Sequence, residues 1–348
     1  MKISHSLKST RDLCSLLELR RDELYWLCDF QRQNETPEYY AHYHHQWLKK
    51  RSGSWRLIEA PKPLLKTVQR TILSEVFNQI EPHRLACGFA PNKSVLDHLR
   101  PHVNRPVQMK MDLKNFFTHI TTGRVYGLLR MAGYSRDISH RIALLTTVAT
   151  PARMLDRFRM SNFRKLTTSE YRLLKKRHLP QGAPTSPAIA NLCAFRLDLR
   201  LSGLARSLGG VHYTRYADDL QFSGYRSFRS QAARLAPIVG AIAIEEGFEL
   251  NFHKTKIMTD NQRQQACGVV INSKLKTQNS KLNIQRREYD RLKATLFNCI
   301  KHGLDSQNRE NHPRFHQQLL GKISWVESLN PTRGAKLRSL YHQIEIEK

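Results

Sequence analysis

Three acidic side chains in this chain are placed where carboxylates do chemistry. Tyr216-Ala217-Asp218-Asp219 lies inside residues 210–224. Its flanks alternate, with Val211, Tyr213 and Arg215 on one side and Leu220 and Phe222 beyond the acids. That pattern predicts a β-hairpin with two carboxylates at its tip. Adjacent acids at a turn are usually just solvated. Here they sit between apolar strands in a chain of formal net charge +28, where local negative charge invites a bound cation. Carboxylate oxygens are the hard ligands that Mg²⁺ takes. A metal site needs a further carboxylate, and Asp112 supplies one at the end of the alternating run Val107, Met109, Met111. A helix N-cap is the plainer role for Asp112. The third feature is the loop Leu179-Pro180-Gln181-Gly182-Ala183-Pro184-Thr185-Ser186-Pro187 before the apolar run 188–194. Ser186 fits an N-cap and Pro187 a first helical residue, and such a loop can approach a nucleotide closely.

The elements that must hold these groups follow from periodicity. A helix pair is expected over 10–30, capped by Ser9 or Thr10, then a polar linker at 31–37. A hairpin over 40–60 turns at Lys50-Arg51-Ser52-Gly53-Ser54. An amphipathic helix over 64–80 follows, with Leu65, Val68, Ile72, Val76 and Ile80 near one face. A helix starts at Ser94, and a helix pair covers 124–150. Residues 151–178 are basic and polar, with Arg164, Lys165 and Arg177 among their cations. They read either as solvated helix or as an added contact with nucleic-acid backbone. Beyond the acids come a helix over 230–246, a strand over 248–252 and a glycine-bearing strand over 266–272. Basic helices over 284–301 and 313–345 are broken by Gly303 and by Asn330-Pro331. Their core is expected from Leu292, Leu296, Ile300, Leu319, Leu320, Ile323, Trp325 and Val326.

Composition narrows the partners. The 348 residues suffice for two or three subdomains. Lys and Arg exceed Asp and Glu by 57 − 29 = 28, which predicts a polyanion. A membrane surface competes as a partner, but no apolar run approaches the roughly 20 residues of a spanning helix. The opening Met1-Lys2-Ile3-Ser4-His5-Ser6 does not read as a signal peptide. Six scattered cysteines without CxxC spacing read as reduced thiols of a cytoplasmic protein. Tyr43-His44-His45 reads as surface or RNA-facing.

The order Asp112, then Pro180-Gln181-Gly182, then Tyr216-Ala217-Asp218-Asp219 resembles the palm motifs of reverse transcriptases. Over nearly the whole chain it is similar to the bacterial retron enzymes. The resemblance implies an α+β right-hand polymerase with fingers, an antiparallel-sheet palm and a small helical thumb. The parts would be an N-terminal helical extension 1–36, fingers 37–111, palm 112–272 with 151–178 contributing to fingers and palm, and thumb 273–348. Asp112, Asp218 and Asp219 would be catalytic and hold two Mg²⁺ ions. Arg56, Lys62 and Lys66 would meet the triphosphate. Phe116, with Phe117 second, would wall off a 2′-OH. Gln181 and Gly182 would touch the nucleotide, and Lys254 would lie near the leaving pyrophosphate. Cys267 and Gly268 would belong to the primer grip. Arg287, Arg291 and Lys293, taken as one helix face, would grip a stem-loop of the cognate RNA or track the duplex. Two stretches depart from the retron pattern. His98-Leu99-Arg100-Pro101-His102 stands for Asn-Ala-x-x-His, and Ala266-Cys267-Gly268 for Val-Thr-Gly.

The resemblance further implies dNTP substrates and a dedicated structured non-coding RNA primed from the 2′-OH of an internal guanosine. The product would be a branched RNA–DNA hybrid, and a separate effector protein would act with it in phage defence. Two other readings stand beside this one: another bacterial lineage such as a group II intron enzyme without its maturase domain, and a non-catalytic RNA-binding scaffold. Retention of all three carboxylates and of Gln181-Gly182 speaks against the scaffold.

Overall fold

The computed structural model describes residues 7–28, 41–50, 53–161, 166–272 and 282–344. The linker expected at 31–37, the turn residues Arg51 and Ser52, Arg164 and Lys165, and the start of the expected thumb at 273 lie outside them.

The chain opens with α1 (Thr10–Leu17) and α2 (Arg21–Cys28). Ser9 caps α1 in a reciprocal box with Asp12, satisfying backbone donors that the helix leaves free. Strands β1 (Tyr43–Lys49) and β2 (Trp55–Pro61) form the expected hairpin, in register from Tyr43↔Pro61 to Lys49↔Trp55. Alternation turns Tyr43 and His45 inward and leaves His44 exposed, so the Tyr43-His44-His45 run is mostly interior rather than surface. Helix α3 (Pro63–Glu75) buries Leu65, Val68 and Ile72. Its Gln69 donates to the Tyr43 hydroxyl and the Leu145 carbonyl. A short α4 (Val95–Leu99) starts at Ser94, again with a capping box.

Strand β3 (Val107–Lys114) is central, so it is buried almost throughout rather than on alternate residues. Helices α5 (Thr122–Met131), α6 (Arg136–Leu145), α7 (Ala152–Ser161) and α8 (Thr168–Lys175) follow. Helix α9 (Ser186–Cys193) begins one residue earlier than expected. Thr185 is its cap residue, without a side-chain bond, and Ser186 and Pro187 are its first two residues. Next are α10 (Phe195–Ser207), β4 (His212–Tyr216), β5 (Asp219–Gly224) and α11 (Phe228–Glu245). The strand expected over 248–252 shrinks to β6 (Glu249–Leu250), because Phe252–Lys254 turns into a 3₁₀ helix. Strand β7 (Lys256–Thr259) and the ribbon β8 (Gln265–Ala266) and β9 (Val269–Val270) complete the β structure.

The main sheet runs β4-β5-β3-β6, with β7 also on β3, and its recorded pairings are antiparallel. One core spans α1, α2, α3, the sheet and the helices behind it. Strand β3 runs across the boundary expected at 111/112. Helices α12 (Arg286–His302), α13 (Phe315–Leu329) and α14 (Pro331–Tyr341) form a second core through Leu296, Ile323 and Leu337. That core also takes Leu99, Ala266, Val269 and Ile271, so the ribbon packs with the thumb. Of the expected thumb core, Trp325 is instead exposed at a cavity rim. The architecture is α+β.

Candidate active site

Hydrogen-bond register brings the acids together. Asp112 on β3 lies directly opposite Asp219 on β5, and Tyr216 pairs with Asp219 across a two-residue turn of Ala217 and Asp218. The Leu113 amide donates to the Asp218 carbonyl at 2.8 Å, tying the turn to β3. Ala217 has φ +55°, the left-handed first loop residue that a tight hairpin turn of this length uses. A buried polar cluster holds that conformation. Arg215 is fully buried and donates to both oxygens of buried Asp198, at 2.8 and 2.6 Å. It donates also to the Asn191 side-chain oxygen at 3.0 Å and the Ala217 carbonyl at 2.9 Å. Asn191 in turn donates to the Gly88 carbonyl at 2.7 Å. A Cβ on Gly88 would stand 2.5 Å from the Ala217 nitrogen, so only glycine lets this loop approach the tip.

Asp112 and Asp219 are each met by an ammonium. Lys254 reaches Asp112 at 2.8 Å and Lys110 reaches Asp219 at 2.9 Å. Burial, then the charges of Asp219 and Asp112, raise the Asp218 carboxyl above its usual range. Crowded carboxylates that repel one another and are compensated by cations are a donor set that fits divalent metal. Among the described residues no three His, Cys, Asp or Glu side chains are gathered into a ready metal cage. Mg²⁺ is commonly held by one or two carboxylates plus substrate phosphates and water, so the two facts agree.

Two cavities flank the acids. One, of about 240 Å³, is lined by Lys50, Arg56, Phe116, Phe117, Gln181 and Asp218 among others. Phe116 is packed away at 4% exposure against Phe248 and under the Arg215 guanidinium, while its neighbour Phe117 is more open. Of the two rings that line the cavity, Phe116 is thus the buried one and Phe117 the one open to it. Lys62 does not reach this cavity. It precedes α3 and lines a separate hollow with Trp26 and Leu64, and Lys66 is exposed on α3 outside the lining. Lys50 lines the cavity beside Arg56 instead. Burial lowers its pKa, as do Arg56 and Lys254, against the pull of Asp218 and Asp112. Lys50 reads from the sequence as a turn residue; it directly follows β1, its amide donates to the Ser54 carbonyl, and it lies two residues past Leu48, the partner of Arg56.

In the wall of that cavity, Glu59 is buried on β2. It accepts from Thr150 at 2.7 Å and bonds His178 at 2.9 Å, and its amide donates to the Gln181 carbonyl at 2.9 Å. Burial opposes charge on His178, but Glu59 outweighs it and raises the pKa. Gly182, at φ +132°, lies against Ile58 and Glu59. The Pro-Gln-Gly loop is thus registered on the fingers hairpin.

The second cavity, about 680 Å³, is lined by Lys110, Asp112, Asp219, Lys254, Cys267 and Gly268 among others. Cys267 and Gly268 both have positive φ, +47° and +80°, as the tightest β8–β9 turn requires. Burial pushes the Cys267 thiol up to about 12. The departure at His98 is also accounted for. His98 Nδ1 lies 2.7 Å from the Thr214 hydroxyl, and His102 bridges Thr214 and Ser223 at 2.7 and 2.6 Å. Burial lowers His98 to about 3 and His102 well below its usual value. Leu99 joins the thumb core.

Arg287, Arg291 and Lys293 are all exposed on α12 but do not share a face. Positions 291 and 293 are about 160° apart around a helix. Arg291 lines a thumb cavity of about 500 Å³, whereas Lys293 lies over the Phe297 ring.

The chain matches the family described as reverse transcriptase (RNA-dependent DNA polymerase) over residues 48–280. It is 34% identical to the retron Mx162 reverse transcriptase of Myxococcus xanthus over 97% of this chain and 67% of that protein. It is 36% identical to the retron Mx65 reverse transcriptase of the same organism over 83% of this chain and 62% of that one. The chain thus spans about two thirds of the length of these curated relatives. Among solved structures, a telomerase from Candida albicans is matched at TM-score 0.42 and 13% identity, over 82% of this chain and 54% of that one, a likeness too slight to carry an argument. The register of the three aspartates and the family match agree: this chain belongs to the reverse transcriptase family, the RNA-dependent DNA polymerases, and within it sides with the retron enzymes.

Proposed function

We propose that the chain copies a dedicated structured RNA into DNA, starting from an RNA 2′-OH and leaving a branched RNA-linked single strand. The observation that carries the polymerase reading is Asp112 opposite Asp219, with Asp218 on the adjoining turn, between a nucleotide-sized cavity and a cationic cleft. Relatives named as retron reverse transcriptases support the choice of template and product. In the same reading the protein works in the cytoplasm beside a separate effector in phage defence. Among the described residues no helix is long and apolar enough to cross a membrane.

The residues divide the work. Lys50 and Arg56 bind the triphosphate from the fingers, and Phe117 stands against a 2′-OH with Phe116 behind it. Gln181 and Gly182 shape the loop where the nucleotide pairs. Asp112, Asp218 and Asp219 would hold two Mg²⁺ ions, which lower the pKa of the attacking hydroxyl and stabilise charge at phosphorus. Lys254 leaves Asp112 to meet the leaving pyrophosphate, and Lys110 keeps Asp219 oriented. Cys267 and Gly268 fix the primer end against the acids.

The test supplies RNA transcribed from the DNA flanking the gene, with dNTPs and Mg²⁺, with and without an added DNA primer. Labelled DNA that stays attached to one ribonucleotide after complete ribonuclease digestion, and is freed by a 2′,5′-debranching enzyme, is the expected product. DNA made only from an added primer would contradict the self-priming reading and leave a general reverse transcriptase.

A further inference from the structure

Helix α11 carries more apolar surface than the palm covers. Its sequence is apolar nearly all round, the pattern of a helix with neighbours on every side. The inner face has them: Ala232, Leu235, Val239 and Ala243 are buried in the palm core. The outer face does not. Pro237 and Ala241 are exposed there, and so are the larger Ile238 and Ile244, at 47% and 66%. Two further side chains widen the patch. Phe252 lies against Gly240, and Ile257 pairs with Met109 and so shares its helix-side face; both are exposed. A continuous apolar patch on a folded protein marks contact with another surface. Two charges bound the crest of this one. Arg234 and Glu245 are both exposed, about three turns apart and within about 20° of one line along the helix. Ile238 and Ala241 stand between them. Among the described residues Arg234 has no ion-pair partner. Glu245 gives one oxygen to Arg200, and its side chain stays 61% exposed.

We propose that the outer face of α11 is a two-fold contact between two copies of this chain. The face complements itself. Laid antiparallel on its own image, with the axis between positions 239 and 240, α11 sets Arg234 against Glu245 of the partner subunit. The same axis sets Ile238 against Ala241 of the partner subunit, large against small, and each contact occurs twice. A two-fold interface needs this kind of self-complementarity. Nucleic acid fits the face poorly, since the crest offers a polyanion one arginine and ends in Glu245 and Glu246. The contact also leaves the site open. Along β3, Lys110 and Asp112 line the cleft, whereas the alternating Met109 and Met111 are buried in the core that α11 shares. Helix α11 thus lies behind the sheet and lines neither cavity beside the acids, so the contact is independent of the function read from that site.

The experiment measures the mass of the full chain, cleared of nucleic acid, by light scattering after gel filtration over a concentration series. KCl at about 0.3 M shields the like net charges of the two copies while close ion pairs still act. The wild type reaches twice the mass of one chain at the upper concentrations. Arg234→Glu alone places like charges together at both ends of the contact, and so does Glu245→Arg alone. Each raises the dissociation constant by about tenfold or more. Mixed in equal amounts, the two variants form a mixed dimer with opposite charges at both ends, and the doubled mass returns. Neither a different protein nor a lipid surface on this face predicts that recovery, and misfolded chains would not show it. A wild type that keeps the mass of one chain throughout would overturn the proposal and leave the face to a different protein. Single variants that dimerise like the wild type, or a mixture that stays at the mass of one chain, would overturn it as well.

Discussion

Arg215 in the palm and Arg291 in the thumb carry the same guanidinium into opposite surroundings. Arg215 is fully buried and bonded to Asp198, Asn191 and the Ala217 carbonyl. Arg291 is exposed at the mouth of the thumb cavity. A buried guanidinium costs several kcal/mol to desolvate and remains only where its partners are fixed, so it locks the Ala217–Asp218 turn in one shape. An exposed one costs little, is screened by salt and adapts to its ligand. The palm is built for a single geometry of three carboxylates. The exposed cations of the thumb suit graded, salt-screened attraction instead.

Removing one palm partner gives the largest effect on stability. Arg215→Met leaves Asp198 buried without its counter-charge and should cost about 3–5 kcal/mol in urea unfolding. Arg215→Met/Asp198→Leu should regain much of that stability but not DNA synthesis, because the turn has lost its anchor. Recovery of both would mean that the pair serves packing alone.

The two phenylalanines sharpen the same contrast. Phe116→Ala empties a core position and should lower stability by about 3–5 kcal/mol with little change in dNTP/rNTP preference. Phe117→Ala should lower that preference by roughly tenfold to a hundredfold, the range set by about 1–3 kcal/mol of pocket contact. Single-nucleotide extension with each substrate reads the ratio. The opposite pattern would restore Phe116 as the wall.

The buried histidines give the palm a pH signature. His98 and His102 are held neutral, with folded pKa values below the ordinary 6.5. The unfolded chain therefore binds more protons than the folded one as pH drops below 6.5, and stability should fall through that window and toward 3. Thermal melts of His98→Asn, which removes one of the two, should show a shallower acid limb. Identical limbs would mean that carboxylates alone set the acid sensitivity.

The hairpin tip, its two flanking strands and the order of the loops were legible because alternation and turn chemistry are local. The Asp112–Asp219 pairing was implied only once both strands were assigned to one sheet. Glu59 and the Arg215–Asp198 pair were not legible, since a buried charge and a solvated one look alike until the partner's position is known, and nothing local marks Lys50 off from any other exposed turn lysine. The shared face assigned to Arg287, Arg291 and Lys293 was an error of period that 100° per residue exposes.

The smallest effects belong to the thumb. Arg287→Ala/Arg291→Ala, on the cavity face, should lower the salt slope for the cognate stem-loop by about 0.9 per lost phosphate contact and spare a generic primer–template. Arg286→Ala/Lys293→Ala, on the other face, should weaken both substrates alike. If the two pairs behave identically, the faces of α12 have no separate roles.

Asp218 sits on the turn between β4 and β5, beside Asp219, which lies opposite Asp112. Asp218→Asn removes charge without changing shape, and single-turnover extension of a DNA primer on an RNA template with dNTPs and Mg²⁺ measures the consequence. The expected result is no detectable extension with RNA binding close to wild type. Extension at a near wild-type rate would contradict the assignment of Asp112, Asp218 and Asp219 as the centre of nucleotidyl transfer.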